Sequence, residues 1–361
     1  MIRLEQRAAP AQIWTFATPI VAVLLTMIAG GLMFAALGTP PVQALKTIFY
    51  DPLFHPQFAS YSRPQLLVKA GPLILIAIGL SLGFRAGIWN IGAEGQYIIG
   101  ALFGAGLGLA AFPSESTILF PAMVAAGALG GWLWAMIPAL LRVTFRTNEI
   151  LVSLLLVYVA EQILARAAVG FLRNPDGGGF PGSRNLAQHS GTQNLELFAN
   201  SGLHWGGVAA IAAVIFAYIV MTRHLMGFQI RVAGESPRAA LFAGFAPKRL
   251  VIFCLGFSGA LAGLAGLFEV TGPAGQISID FNSGYGFTAI IVAFLGRLNP
   301  FGILMAGLLM ALTYIGGELA QLTLSLPGAA IQAFQGMLLF FLLGLDVLTN
   351  YRIRLARRRG A

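Results

Sequence analysis

The sequence predicts an all-α polytopic membrane protein of about ten transmembrane helices, with the N- and C-termini in the cytoplasm. Three observations carry that expectation. Of 361 residues, 57% are hydrophobic and only 10% charged, with a mean hydropathy of +0.80, too apolar for a soluble globule of this size. Apolar runs of about 20 residues recur along the whole length, each able to cross a hydrocarbon core about 30 Å thick. Arg and Lys fall mostly in short gaps between these runs and at the two ends, a topology signal rather than a nucleic-acid signature, although the formal net charge is +9.

Taken in order, Arg3 and Arg7 precede a run over 13–37 that is too long for a signal-peptide core and lacks a small-residue cleavage site, so it reads as a retained first span. Spans at 66–84 and 87–111 flank Arg85, and spans at 117–141 and 150–170 flank the gap from Arg142 to Glu149. Residues 171–204 form the longest polar stretch, rich in turn formers ("NPDGGGFPGSRN"), and are expected to be an external loop and docking surface. Spans at 205–222 and 250–271 enclose a basic cytoplasmic segment over 223–249. The segment 281–297 is the weakest span, because "DFNSGYG" leaves only about eleven continuously apolar residues after it; a broken or re-entrant helix is expected. Spans at 301–322 and 328–348 complete the set, followed by a tail over 349–361 with Arg352, Arg354, Arg357, Arg358 and Arg359. The whole of 1–361 therefore reads as one transmembrane domain. Trp14, Trp89 and Trp205 sit near span ends as interfacial anchors. Cys254 is the only cysteine, so neither an intrachain disulfide nor a thiolate metal cluster can form.

One span is interrupted by polar groups, "GIWNIGAEGQYIIG" from Gly87 to Gly100. Read as one helix, it aligns Gly92, Gln96, Gly100, Gly104 and Gly108 in a stripe of little bulk at four-residue spacing, expected to serve close helix packing rather than to line a pore. Asn90 and Glu94 would lie about 200° around from it. Glu94 would sit about 14 Å along the axis from Arg85, near the midplane. A carboxylate there needs water, a partner or a proton. Three readings stay open: a structural hydrogen-bond acceptor, a polar group on a solute path together with Asn90 and Gln96, and a proton carrier. On the first, Glu94→Gln should keep most transport, because a neutral amide preserves hydrogen bonding, while Glu94→Leu should damage assembly or flux.

The cytoplasmic stretch "GESPRAALFAGFAPKRL" carries Ser236 as an N-cap, Pro237 at the first helical position, helix formers from Arg238 to Ala243, and Gly244 as a left-handed stop. So short a helix is unstable alone, which implies that it packs on something. Thr147 reads as an N-cap with Glu149 in the following first turn. No phosphate-binding G-x-x-x-x-G-K-[ST] loop, H-E-x-x-H or G-x-S-x-G motif occurs, so no catalytic, metal or cofactor site is expected and ATP would have to act through another subunit.

At "GIWNIGAEGQYIIGA", "TNEILVSLLLVYVA", "GESPRAALFAGFAPKRLVIFCLGFSGALAGLAG" and "GYGFTAIIVAFLGRLNPFG" the chain resembles the permease subunits of bacterial ABC importers of the branched-chain amino acid and simple-sugar group, nearest the nucleoside-uptake branch. The resemblance runs from about residue 60 to the end. It implies a second permease chain, a paralogue or an identical copy, and a cytoplasmic ATP-binding subunit that carries the ATP and magnesium. It also implies an external substrate-binding lipoprotein, membrane lipid around the spans, and residence in the bacterial cytoplasmic (inner) membrane. It identifies Glu235, Ser236, Pro237, Arg238, Ala239, Ala240 and Gly244 as resembling the coupling region. The implied solutes are nucleosides, with simple sugars such as ribose or branched-chain amino acids as alternatives. The residues alone leave room for a proton-coupled secondary transporter using Glu94. Inverted repeats are common in transporters; both halves contain a Gly-rich span, without a residue-level match.

Overall fold

In lipid a backbone must satisfy its own hydrogen bonds, and the apolar runs accordingly become helices. The computed structural model describes residues 2–6, 12–198 and 201–355, so Arg7, Arg357, Arg358 and Arg359 lie outside the described residues. In chain order the elements are β1 (Ile2–Gln6), α1 (Gln12–Ala36), α2 (Pro41–Phe49), α3 (Asp51–Phe54), α4 (Ala59–Arg85), α5 (Ala93–Ala110), α6 (Leu119–Phe145) and α7 (Glu149–Val169). There follow α8 (Trp205–Arg223), α9 (Leu225–Glu235), α10 (Pro237–Phe242), α11 (Pro247–Thr271), α12 (Tyr285–Leu295), α13 (Pro300–Leu324), α14 (Gly328–Asn350) and β2 (Tyr351–Leu355). Eight of them, α1, α4, α6, α7, α8, α11, α13 and α14, are long and apolar enough to cross a membrane. Helix α5 has 18 residues and α12 only 11.

The chain divides into two compact units, Met1–Ser62 with Leu312–Ala361, and Arg63–Ala311. In the first, α1 packs along α14, and Phe34, Ala44, Ile48, Ala320, Ile331 and Phe334 form its core. The Phe34 and Phe334 rings stack at 5.8 Å. Strands β1 and β2 pair antiparallel, Ile2 opposite Leu355 and Gln6 opposite Tyr351. This small ribbon is an addition to the otherwise helical fold, and it sets the two ends of the described chain side by side.

In the second unit, α5 is the central helix, packed by α6, α7, α11 and α12. It meets α6 and α11 where all three backbones approach through glycine. A Cβ on Gly263 would lie 3.0 Å from the Cα of Gly131, one on Gly131 would lie 2.8 Å from the Cα of Gly263, and one on Gly100 would lie 2.7 Å from the carbonyl carbon of Gly263. In a bilayer such contact is itself the driving force for association, since lipid is as apolar as the side chains. Gly263→Val is therefore expected to lower stability by about 1–3 kcal/mol through overpacking, read as a drop in the melting temperature of the purified protein; an unchanged melting temperature would contradict the three-helix contact.

Within the polar run, residues 183–186 are held against the connector between α11 and α12. Ser183 N–H donates to Ile277 O (2.8 Å), Ile277 N–H to Ser183 Oγ (2.9 Å) and Leu186 N–H to Gly275 O (2.7 Å). His204 closes it as the N-cap of α8, its Nδ1 accepting from Gly206 N–H at 3.1 Å. Burial pushes the His204 ring down to about 4, which keeps it neutral and able to accept. The other end of this unit is basic: Arg85 ends α4, Arg142 lies in the last turn of α6, Arg223 ends α8, and Lys248 and Arg249 open α11. Arg142 is paired with Glu149 at the start of α7. The cap of α7 is Asn148, whose Oδ1 accepts from Ile150 N–H at 2.9 Å, and not Thr147 as the sequence suggests; Asn148 has the extended φ/ψ that lets its carbonyl open the helix.

Candidate functional site

After α4 the chain does not enter a helix at once. Residues 86–92 are irregular and turn back along α4, where Gly83 leaves room for the Ile88 carbonyl, 2.9 Å from where a Cβ would stand. Asn90 holds this run. Its Oδ1 accepts from Gly92 N–H at 3.1 Å and from Gln96 Nε2 at 3.1 Å, and its Nδ2 donates to Gln96 Oε1 at 2.8 Å and to Ser258 Oγ at 3.0 Å. Ser258 lies eleven residues into α11, about 16 Å from its start at 1.5 Å per residue, so Asn90 stands near the middle of the long helices. Irregular backbone at that depth survives only where protein covers it; Asn90 is 2% exposed and Gln96 1%.

Glu94 sits in the first turn of α5 and is fully buried. Its carboxylate accepts from Gly284 N–H through Oε1 at 3.1 Å and from Gly286 N–H through Oε2. These amides open α12, so the positive ends of two helices converge on one carboxylate. Two glycines make this possible. Gly284 has φ +72°, which a side chain resists, and a Cβ on Gly286 would lie 2.5 Å from the Glu94 Cα. Beside them, Asn282 Nδ2 donates to Glu161 Oε1 at 2.6 Å, and the Tyr97 ring stacks on Phe281 at 5.2 Å.

The far end of α12 is held by the residue that ends α4. Arg85 Nε donates to the Leu298 carbonyl at 3.0 Å, a cation at the negative end of the helix. Between the two, the rings of Phe84, Trp89 and Phe294 pack at 4.9–5.9 Å. The stretch from Phe84 to Glu94 thus clamps α12 at both ends, Arg85 below and Glu94 above. At 1.5 Å per residue, α12 rises about 16 Å, half a bilayer, which makes 281–297 a broken element in which a 3₁₀ turn, Ile279–Phe281, and a non-helical linker precede the short helix.

This geometry corrects the reading of the span 87–111 as one helix. Helix α5 starts at Ala93, Gly92 is its cap, and Asn90 is outside it. Asn90 and Gln96, expected on opposite faces, bond to each other, while Glu94 turns away from both to α12. The reason is Asn90 itself: its side chain captures Gly92 N–H and offers the backbone an alternative to helix. Of the small-residue stripe, Gly100 meets Gly263, Gly104 meets Leu267, Gly108 meets Met123 and Thr192, and Gly92 meets Ser153. The expected tolerance of Glu94→Gln is also revised, because an amide offers one acceptor where two N–H donors converge.

At the basic end, Ser236 precedes α10 with Pro237 at its first position, and Gly244 follows at φ +75°. The Ser236 side chain makes no capping bond. Sequence reasoning missed α9, which leads into this segment and sets Gly234 directly against the Arg85 carbonyl, where no Cβ would fit. On α10, Ala240 is 2% exposed while Leu241 and Phe242 stand out, Phe242 at 93%. Glu235, Pro237, Arg238 and Ala239 are exposed around them.

Residues 63–343 match the profile of the branched-chain amino acid transport system permease component family. The chain belongs to this family. Among individual permeases, it is 34% identical over 370 residues to the glucose ABC transporter permease protein TsgB13 of Haloferax volcanii, covering 98% of this chain and 94% of that one. It is 26% identical over 350 residues to the guanosine ABC transporter permease protein NupP of Bacillus subtilis (95% and 97%), and 25% over 340 residues to the nucleoside ABC transporter permease protein NupB of Lactococcus lactis subsp. cremoris (90% and 89%). No solved structure matches. The chain is thus an ABC transporter permease, a multi-pass protein of the inner membrane. The sequence signal for Gly284 and Gly286 was present in "NSGYGF"; Ser258 and Arg85 gave none, since each is defined by a partner distant in the chain.

Proposed function

We propose that this permease forms, with a second permease chain, the solute path of an ATP-driven importer for nucleosides, its basic end facing the cytoplasm and α10 seated on a separate ATP-binding subunit that holds ATP and magnesium. An external binding protein delivers the solute to the opposite end. The observation that carries the coupling is α10: a two-turn helix whose buried Ala240 anchors it while Leu241 and Phe242 present apolar surface outward, at a point joined through Gly234 to Arg85 and hence to α12. The basic residues at that end agree with a cytoplasmic face. The carboxylate of Glu94, bonded by two backbone N–H groups, serves as a fixed acceptor rather than a proton carrier. A second reading for the solute, a simple sugar, is favoured by the 34% identity to a glucose permease over nearly the whole chain.

Uptake into liposomes by the assembled complex tests this. With ATP inside, labelled guanosine should accumulate, with glucose as the second arm and leucine as the third. Uptake driven by a proton gradient without the ATP-binding subunit would overturn the reading, and leucine uptake alone would overturn the solute assignment.

A further inference from the structure

Helix α11 carries Arg249, Phe253, Gly256, Phe257 and Ala260 along one side, at the three- and four-residue spacing of a single helix face. With Trp132 of α6 they line a cleft of about 480 Å³ that is almost wholly apolar. From Arg249 to Ala260 the helix rises about 16 Å, close to the hydrocarbon depth of one leaflet, about 15 Å. The walls are aromatic: the Phe253 and Phe257 rings stack at 5.8 Å. Gly256 gives the opposite wall its place, since a Cβ there would lie 2.7 Å from the Trp132 Nε1.

The mouth of the cleft is cationic. Lys248 and Arg249 are exposed, and neither forms an ion pair among the described residues. The neighbouring Arg142 is already paired with Glu149. Helix α11 starts at Pro247 with Ala246 at its cap and no capping side chain, so the positive end of the helix is open at the same point. An apolar slot one leaflet deep, with unpaired positive charge at its interfacial end, has the charge and length of one particular occupant.

We propose that this cleft is a binding site for an anionic phospholipid of the cytoplasmic leaflet, one acyl chain lying between Trp132 and the Phe253–Phe257 wall and the phosphate meeting Lys248 and Arg249. The leaflet assignment rests on the orientation proposed above; the site itself is independent of the solute carried. Its consequence is that lipid charge acts on α11, the helix that bears Ser258 and follows the coupling segment.

The test uses Trp132 as its reporter. The full chain is reconstituted in bilayers containing dibrominated phosphatidylglycerol or dibrominated phosphatidylcholine, and the quenching lost in Trp132→Phe isolates this indole from the other four. Phosphatidylglycerol should occupy the site with a binding constant about fivefold or more above that of phosphatidylcholine. That ratio should fall to near one in the Lys248→Gln, Arg249→Gln double variant, with Trp132 still quenched by both lipids and the melting temperature unchanged. Equal quenching by both lipids in the wild type, the behaviour of ordinary boundary lipid, would overturn the proposal. Absence of quenching by either lipid, which means that a protein surface covers the cleft, would overturn it as well. Because quenching reads lipid contact and not transport, a negative result here leaves the uptake experiment to decide the function separately.

Discussion

Glu94→Gln is expected to destabilise the protein and to reduce transport at least tenfold, although it removes only a charge. In the wild type each carboxylate oxygen accepts a backbone N–H, from Gly284 and from Gly286. The amide keeps one acceptor and turns an NH₂ toward the other N–H, leaving a buried donor facing a donor. That costs about 1–3 kcal/mol, and the lost attraction between the carboxylate and two helix N-termini adds up to roughly 2 kcal/mol. Glu94→Leu should cost more, because Gly286 N–H loses its side-chain acceptor and Gly284 N–H keeps only its 3.3 Å bond to Asn282 Oδ1. A proton carrier would behave differently: the Gln variant would keep its melting temperature and lose only flux. Parallel loss of stability and flux supports the acceptor; loss of flux at unchanged melting temperature contradicts it.

Phe242→Asp is expected to abolish coupled transport while leaving the permease folded. The ring is 93% exposed in this chain, so its replacement breaks nothing internal. If it enters a pocket on the ATP-binding subunit, its loss should weaken that contact by about 2 kcal/mol or more, some thirtyfold, as buried aromatic anchors do at interfaces. Co-purification of the two subunits and ATP-dependent uptake should fall together. Ala240→Asp is the poorer probe, since Ala240 is buried beneath α10 and a charge there would unfold the short helix itself. Unimpaired uptake by the Phe242→Asp complex would remove α10 from the coupling role.

The helices were legible where one physical signal dominated. Long apolar runs gave α6, α7, α11 and α13 nearly to their ends, and Pro237 at the start with Gly244 as a stop marked α10, because a fixed φ and a positive φ are local properties; the capping bond expected of Ser236 does not form. The weakness of 281–297 was visible in its length alone. What could not be read was the run 86–92, where the apolar pattern continues but the Asn90 side chain wins the Gly92 amide from the helix. Nor could the clamp on α12 be read, since Glu94 and Gly286 are 192 residues apart and nothing local in either announces the other. The sequence pointed to Glu94 as the unusual group; its partners belong to tertiary structure.

The central claim is that Glu94 fixes the N-terminus of α12. Backbone amide hydrogen exchange over 282–288, measured in the purified permease, tests it directly. In the wild type these amides should be protected, and in Glu94→Gln their exchange should accelerate by at least tenfold while the amides of α13 keep wild-type rates. Unchanged protection of 282–288 in the variant would contradict the clamp.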